Sequence, residues 1–185
     1  IDLCLEIGPG LGTLTSSLLR RFPEVIAIEF DQDLARKLPG SFPGKNLQVV
    51  NADILQTDLV SLTRDRPYVV AGNIPYYITS PIINKLLNTY PQPQKIVLLV
   101  QKEVAERVAA GQGAQTLLSL SVQNVATAEL GPVVKAVEFT PPPKVDSQVL
   151  ILTPHSPQIP PECLKLARRG FSNPRKKLSA NLASP

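Results

Sequence analysis

Three short segments of the chain hold residues that together could bind a nucleoside. Gly8, Gly10 and Gly12 follow an apolar run and precede a helical pattern, where glycines let the backbone approach a ligand and unpaired N–H groups face it. Glu29 ends the next apolar run, and a carboxylate there can accept hydrogen bonds from both hydroxyls of a ribose. Asp53 ends the run after that, where a carboxylate can accept from an adenine amine.

Each of these features also has an ordinary structural interpretation. A glycine turn can merely allow tight packing of a strand on a helix, and a single acidic residue is often a helix cap or a surface residue. Thr13 stands where the dinucleotide fingerprint needs its third glycine, which disfavours a nicotinamide oxidoreductase. Since the three segments follow in succession and lack a phosphate-binding lysine, they predict adenosine attached to something other than phosphate. S-adenosyl-L-methionine is the natural candidate.

A fourth segment, Asn73-Ile74-Pro75-Tyr76, carries groups suited to methylation of an amine on a base. The side-chain oxygen of Asn73 and the carbonyl of Ile74 could hold the amine so that its lone pair points at the methyl group. Pro75 would fix the turn, and Tyr76 could stack on the base. The positive charge of a sulfonium drives such a transfer, so catalysis needs positioning more than a general base. The alternative is an ordinary Asn-x-Pro-Tyr turn.

Short apolar runs that alternate with helical patterns must position these residues. The alternation predicts an α/β fold, a Rossmann-like and mostly parallel sheet with helices on both faces, whose last strand pair is antiparallel. The predicted strands are 3–7, 25–29, 47–50, 68–71, 96–100, 133–139 and 148–152. The predicted helices are 11–21, 32–38, 81–87, 102–110 and 116–126.

Proline and charge both change near the end of the chain. Four prolines between 154 and 161 predict a linker, because proline removes a backbone donor and disfavours helix before it. We therefore expect a domain at 1–154, followed by a linker and the beginning of a helical domain at 155–185. The net charge is +4, yet 163–185 holds six basic residues and no acidic residue. This basic segment predicts RNA binding or a solvated helix face, with these candidates for phosphate contacts: Arg168, Arg169, Arg175, Lys176 and Lys177.

Composition narrows the class of protein. No apolar run reaches the roughly 18 to 20 residues that a membrane span needs. The two cysteines, Cys4 and Cys163, lack metal-ligand or disulfide-framework spacing, and His155 is the single histidine, so we expect no metal. A reducing, cytoplasmic location fits this cysteine content.

Four motifs resemble the ribosomal RNA adenine dimethyltransferases, the KsgA/RsmA family with its eukaryotic Dim relatives. They lie at 5–12, 73–76, 100–107 and 139–147, so the resemblance runs nearly the whole length of the chain. It implies an enzyme that uses S-adenosylmethionine to place two methyl groups on each of two adjacent adenines near the 3′ end of small-subunit rRNA. The substrate would be an immature ribosomal particle, and we expect the enzyme to be a monomer.

The resemblance also assigns roles by position. It implies that Gly8, Glu29, Asp53 and Asn73 contact the cofactor, while the segment 73–76 holds the target amine. It further implies that Phe139 closes on the other face of the base; the alternative for Phe139 is a core side chain that ends a strand.

The chain departs from the family in several places. Nothing before Ile1 supplies the family's Gly-Gln-(Asn/His)-Phe-Leu type segment, and most of the helical C-terminal domain is absent, so we expect a fragment. Tyr77 stands where many relatives have Asn, and 113–118 lacks a common Tyr-Gly pair. Two other functions stay open, namely the Erm-type methylation of large-subunit rRNA and a non-catalytic RNA-binding assembly or transcription factor on the same fold.

Overall fold

The computed structural model describes residues 1–172 and 177–183, and a single seven-stranded sheet organises them. The order across the sheet is β3-β2-β1-β4-β5-β7-β6, in which β1 to β5 run parallel and β7 is antiparallel to both of its neighbours. The strands are β1 Leu3–Ile7, β2 Glu24–Glu29, β3 Leu47–Asn51, β4 Tyr68–Asn73, β5 Lys95–Gln101, β6 Ala126–Val134 and β7 Ser147–Pro154. The predicted fold class and the antiparallel last pair are confirmed.

The central strands are apolar because helices cover both of their faces. All five residues of β1 are buried, as are the last five of β2. On one side of β1, Leu5 and Ile7 belong to the larger core cluster, while Cys4 on the other side packs in a smaller cluster with Leu18 of the first helix. Glu6 shares that second side and is the polar exception in β1.

The prediction of a strand at 133–139 is wrong. β6 begins at Ala126 and ends at Val134, and its register against β7 shifts between Leu130 and Val133. β6 is an edge strand, so polar residues such as Glu129 face solvent and hide the strand pattern. A short 3-10 helix follows at Ala136–Glu138, and Phe139 therefore lies outside the sheet.

Most of the helices are shorter than the sequence patterns suggest, whereas the helix predicted at 81–87 extends over Thr79–Asn88. The first begins at Thr13 because Gly12 precedes it in the left-handed conformation (φ 87°), which ends the glycine loop. A short helix after Asp58 was not predicted; the Asp58 side chain caps it. The helices are α1 Thr13–Leu18, α2 Gln32–Lys37, α3 Leu59–Thr63, α4 Thr79–Asn88, α5 Lys102–Val108, α6 Leu117–Gln123, α7 Pro161–Gly170 and α8 Leu178–Ala183.

The segment after β7 is tied to the end of α6. The Asn124 side-chain oxygen accepts from the backbone N–H groups of Gln158 and Ile159, at 3.0 and 2.7 Å. The division into 1–154 and 155–185 stays a prediction, although β7 ends at Pro154. Within 1–172 and 177–183, none of the helices combines the length and the apolar character that a membrane crossing needs.

Candidate active site

The glycine loop after β1 is held by Glu29 at the end of β2. One carboxylate oxygen of Glu29 accepts from the Gly10 N–H at 3.0 Å, and the other accepts from the Asp31 N–H at 2.9 Å. Each oxygen has a second lone pair, so the carboxylate can still accept from ribose hydroxyls. Glu29 therefore shapes the loop in addition to the binding role predicted for it.

The three glycines differ in what they contribute. Gly8 and Gly12 donate their N–H groups to Ile28 and Pro9 carbonyls, so with Gly10 all three N–H groups are used within the protein. Gly8 has a positive φ of 67°, which favours glycine, while a Cβ there would only be in ordinary contact with the Asn73 carbonyl oxygen, 3.6 Å away. Gly12 faces away from the site, because a Cβ on it would meet the side chain of Leu38 at 2.8 Å. The binding role that the sequence assigns to these glycines stays a prediction.

A cavity of about 330 Å³ opens at the carboxyl ends of β1, β2 and β3. Gly8, Glu29 and Asp53, which the sequence predicts to bind one ligand, all line it. The Leu55 N–H donates to Oδ1 of Asp53 at 2.8 Å, and no described residue donates to its Oδ2. Apolar side chains complete the walls, including those of Phe30 and Ile54. The cavity thus combines flat apolar walls with free acceptors, as an adenosine requires.

A second cavity, of about 300 Å³, lies beside the first at the end of β4. Its lining residues are Asn73, Ile74, Pro75, Tyr76, Phe139, Pro141 and Pro143. The Ile74 side chain is buried in the core, which leaves its backbone carbonyl as the group that can reach a ligand. The structure brings the predicted pair Tyr76 and Phe139 to the same cavity, although Phe139 comes from a distant part of the chain.

Pro75 lines both cavities, so one short segment separates them. Tyr77, which is 84% exposed, lines the first cavity together with Glu29 and Asp53. This position explains how the family's variable residue after the tyrosine comes to border the nucleoside cavity. Sequence reasoning noted the variation without placing it.

Glu6 is a buried acid beside the glycine loop, and it lies in the motif at 5–12 without a role predicted from the sequence. It has no exposed surface, and neither carboxyl oxygen has a hydrogen-bond partner among the described residues. Burial raises the pKa of Glu6 to about 7, and the negative charge of Glu29 adds to this effect. The Thr15 hydroxyl is close enough to lower that pKa, but the two side chains are not in hydrogen-bonding geometry.

Ser147 and Asp146 form contacts behind the second cavity that sequence reasoning missed. The hydroxyls of Tyr76 and Ser147 are hydrogen-bonded at 2.7 Å. Oδ1 of Asp146 accepts from the Ala136 N–H at 3.0 Å, and Oδ2 accepts from Lys135 Nζ at 2.8 Å. Lys135 holds the pKa of Asp146 below its usual range through that hydrogen bond. The only sequence signal was that Asp146 and Ser147 both belong to the motif at 139–147.

The basic residues near the end of the chain are only partly described. Arg168, Arg169 and Lys177 are exposed, whereas Arg175 and Lys176 lie outside the described residues. The Arg169 guanidinium donates to the Leu182 carbonyl at 2.6 Å, which ties α7 to α8. Arg169 therefore has a structural contact in addition to any role in RNA binding.

Comparison with known proteins decides the family. The sequence profile described as ribosomal RNA adenine dimethylase matches residues 2–184. This chain belongs to that family. The ribosomal RNA small subunit methyltransferase A of Synechococcus elongatus is 43% identical over 200 residues, which cover 99% of this chain and 72% of that protein. The protein of the same name from Trichormus variabilis is 45% identical, over 99% of this chain and 74% of its own length.

Two solved structures of enzymes share the fold. The 23S rRNA methyltransferase ErmE superposes with a TM-score of 0.81 at 30% identity, over 97% of this chain and 74% of that one. A dimethyladenosine transferase from Plasmodium falciparum superposes with a TM-score of 0.79 at 33% identity, over 98% of this chain and 67% of that one. The predicted Rossmann-like class I methyltransferase fold is therefore confirmed, and the family is one of rRNA adenine dimethyltransferases, as the sequence predicts.

Proposed function

We propose that this chain transfers methyl groups from S-adenosyl-L-methionine to the exocyclic amines of two adjacent adenines near the 3′ end of small-subunit rRNA. One observation carries the proposal: the cavity lined by Glu29 and Asp53 and the cavity lined by Tyr76 and Phe139 share Pro75 as a wall. A donor in the first cavity and a base in the second would be separated only by the segment Asn73 to Pro75. Methyl transfer requires such close approach of donor and acceptor.

The first cavity fits the adenosine part of the cofactor. Glu29 would accept from the ribose hydroxyls, and Oδ2 of Asp53 would accept from the adenine amine. Gly8 lies between this cavity and Asn73, which gives the methionine part room to pass toward β4. The cavity volume of about 330 Å³ is at the lower end of the range of about 300 to 1,000 Å³ typical of ligand sites.

In the second cavity the protein holds and orients the base. Tyr76 and Phe139 would stack on its two faces, which stabilises a base taken out of the RNA stack. The Asn73 side-chain oxygen and the Ile74 carbonyl would accept from the two N–H bonds of the adenine amine. These two bonds direct the nitrogen lone pair toward the first cavity.

When bound, the cofactor supplies an electrophilic methyl group on a positively charged sulfur. Glu29 and Asp53 would hold this donor while Asn73 and Ile74 hold the amine in line with its methyl group. The N–CH₃ bond would form as the S–CH₃ bond breaks, which would leave a neutral thioether, and the amine would give its proton to water. Asn73 and Ile74 lower the barrier by orientation, so no general base of adjusted pKa is required.

The Erm-type alternative is favoured by one observation, the close superposition on ErmE. Against it, relatives named small subunit methyltransferase A reach 43% to 45% identity, whereas ErmE is 30% identical. The non-catalytic alternative has no such support, because Asn73 and Tyr76 are present and line a cavity. We therefore propose a small-subunit particle as substrate and a cytoplasmic monomer as the acting form, with Arg168, Arg169, Arg175, Lys176 and Lys177 contacting phosphates.

The test is transfer of labelled methyl groups to immature small-subunit particles by the intact protein, followed by mass mapping of the modified adenines. We expect dimethylation of two adjacent adenines near the 3′ end. Asn73→Ala should abolish or severely reduce turnover and leave RNA affinity nearly unchanged, because phosphate contacts elsewhere supply that affinity. Methylation of large-subunit rRNA instead would support the Erm-type reading, and no transfer by the unmodified protein would support a binding role.

A further inference from the structure

We propose that Ser147 and Asp146 are positioning residues that together set the gap between the two aromatic walls of the target-base cavity. The inference rests on the proposed function, since it concerns how that cavity grips a base. Neither residue is among the described residues that line this cavity, so each would act through a residue that does line it.

Ser147 fixes the wall formed by Tyr76. It is fully buried as the first residue of β7, where it pairs with Gln101 of β5 on one side and Val134 of β6 on the other. Two flanking strands thus hold its backbone. The hydrogen bond of 2.7 Å to the Tyr76 hydroxyl attaches the far end of the tyrosine ring to this rigid point. The ring is held at both ends and cannot rotate away from the cavity.

Asp146 fixes the wall formed by Phe139. Its carboxylate binds the Ala136 N–H and Lys135 Nζ, which lie at the start of the 3-10 helix that ends just before Phe139. The Phe139 N–H in turn donates to the Ala136 carbonyl at 3.2 Å. The Asp146 backbone carbonyl accepts from the Lys102 N–H at 3.0 Å, so the backbone that carries this carboxylate is anchored to the start of α5.

Asp146 and Ser147 are consecutive residues, and this links the positions of the two aromatic walls. Consecutive Cα atoms across a trans peptide lie about 3.8 Å apart, a distance that cannot vary. A base held between two rings needs about 7 to 8 Å between the ring planes, twice the contact distance of about 3.5 to 4.0 Å between carbon atoms. Since the Tyr76 hydroxyl is bonded to one of the two consecutive residues and the segment before Phe139 to the other, a shift of this pair of residues would move both walls together. The cavity is thus preorganised by its second layer of contacts.

The first test compares Ser147→Ala, Tyr76→Phe and the double variant. Each single change removes the same hydrogen bond, so we expect each to slow single-turnover methyl transfer about five- to tenfold. The double variant should be no slower than either single one, because the bond can be lost only once. Tyr76→Ala should be slower than all three, since it also removes the stacking face.

The second test uses an RNA hairpin with 2-aminopurine in place of one target adenine. The fluorescence of 2-aminopurine reports whether this base is unstacked. A general loss of protein stability would not rank the variants in the order that follows. We expect a weaker signal change for Ser147→Ala and a graded loss from Asp146→Asn to Asp146→Ala, because the amide keeps the acceptor for Ala136. S-adenosylmethionine affinity should stay unchanged in all of them.

Ser119→Ala is the matched control. Ser119 is another fully buried serine, and its hydroxyl bonds only within the start of α6. We expect this variant to lose stability without loss of transfer rate or of the fluorescence change. If the intact protein transfers methyl groups and Ser147→Ala and Tyr76→Phe do so at its rate, the positioning role is refuted while the enzyme assignment stands. If the intact protein transfers none, the proposed function itself fails.

Discussion

Replacement of Glu29 tests whether the first cavity takes the cofactor. Its two carboxylate oxygens accept from the Gly10 and Asp31 N–H groups at 3.0 and 2.9 Å, and the residue is only 7% exposed to solvent. In Glu29→Gln the amide group must face one of these two donors whichever way it turns. One hydrogen bond to a charged acceptor is therefore lost, which corresponds to about 1.5 to 3 kcal/mol in the free energy of unfolding.

Glu29→Ala should also remove the acceptor for the ribose hydroxyls. We expect S-adenosylmethionine affinity to fall by about 1 to 3 kcal/mol, or about five- to 150-fold in the dissociation constant. Calorimetric titration of the intact protein measures this change, and denaturant unfolding of the same samples measures stability. NAD should not bind to any of these proteins.

Glu24→Gln provides the control within the same strand. Glu24 is the first residue of β2, at the end of the strand away from the cavity, and its carboxylate accepts from the Arg66 guanidinium at 2.7 and 3.0 Å. This variant should lose some stability and bind the cofactor normally. If Glu29→Ala changes the stability but leaves cofactor affinity intact, the carboxylate only shapes the glycine loop and the cavity belongs to another ligand.

Three further outcomes are expected. The pKa of Glu6 is about 7 in the folded protein and 4.5 in the unfolded chain, so the unfolded chain loses this proton first as the pH rises. The free energy of unfolding should therefore fall between these two pH values, by up to about 3 kcal/mol. Glu6→Gln should abolish that slope in urea unfolding at pH 5 and pH 8, and a slope that persists would assign it to another group. Neutralising Arg168 and Lys177 should lower the log-log salt dependence of RNA binding by at most about one unit per contact, with cofactor affinity unchanged; an unaltered slope would leave a solvated helix face. Phe139→Ala should weaken binding of the target base by about 1 to 3 kcal/mol in the 2-aminopurine assay, and no effect would make Phe139 a packing residue.

The parallel part of the sheet could be predicted well from the sequence because its signals are local. Strands such as β1 and β2 are buried on both faces and so appear as continuous apolar runs. The carboxyl ends of parallel strands meet at one edge, which is why Glu29 and Asp53 could be assigned to one cavity. β6 was misplaced because an edge strand mixes polar and apolar residues.

The contacts behind the target-base cavity could not be predicted from the sequence. Tyr76 and Ser147 are 71 positions apart, and neither residue type announces the other. The packing role of Gly12 could not be predicted for a related reason, since its spacing in the loop matches that of a ligand-binding glycine, and its binding role stays a prediction. Only the packing of Leu38 shows that it serves the helix start.

The reversed direction of β7 has a consequence for how this fold can diversify. Because β7 begins at the end of the sheet where the parallel strands finish, the connection from Val134 to Ser147 passes the end at which both cavities open, and it contributes Phe139 to one of them. That connection can change in length or composition without moving β1, β2 or β3, whose ends form the other cavity. Under the proposed function, recognition of a new RNA target and retention of the methyl donor are thereby separable, and homologous enzymes could exchange one while they inherit the other.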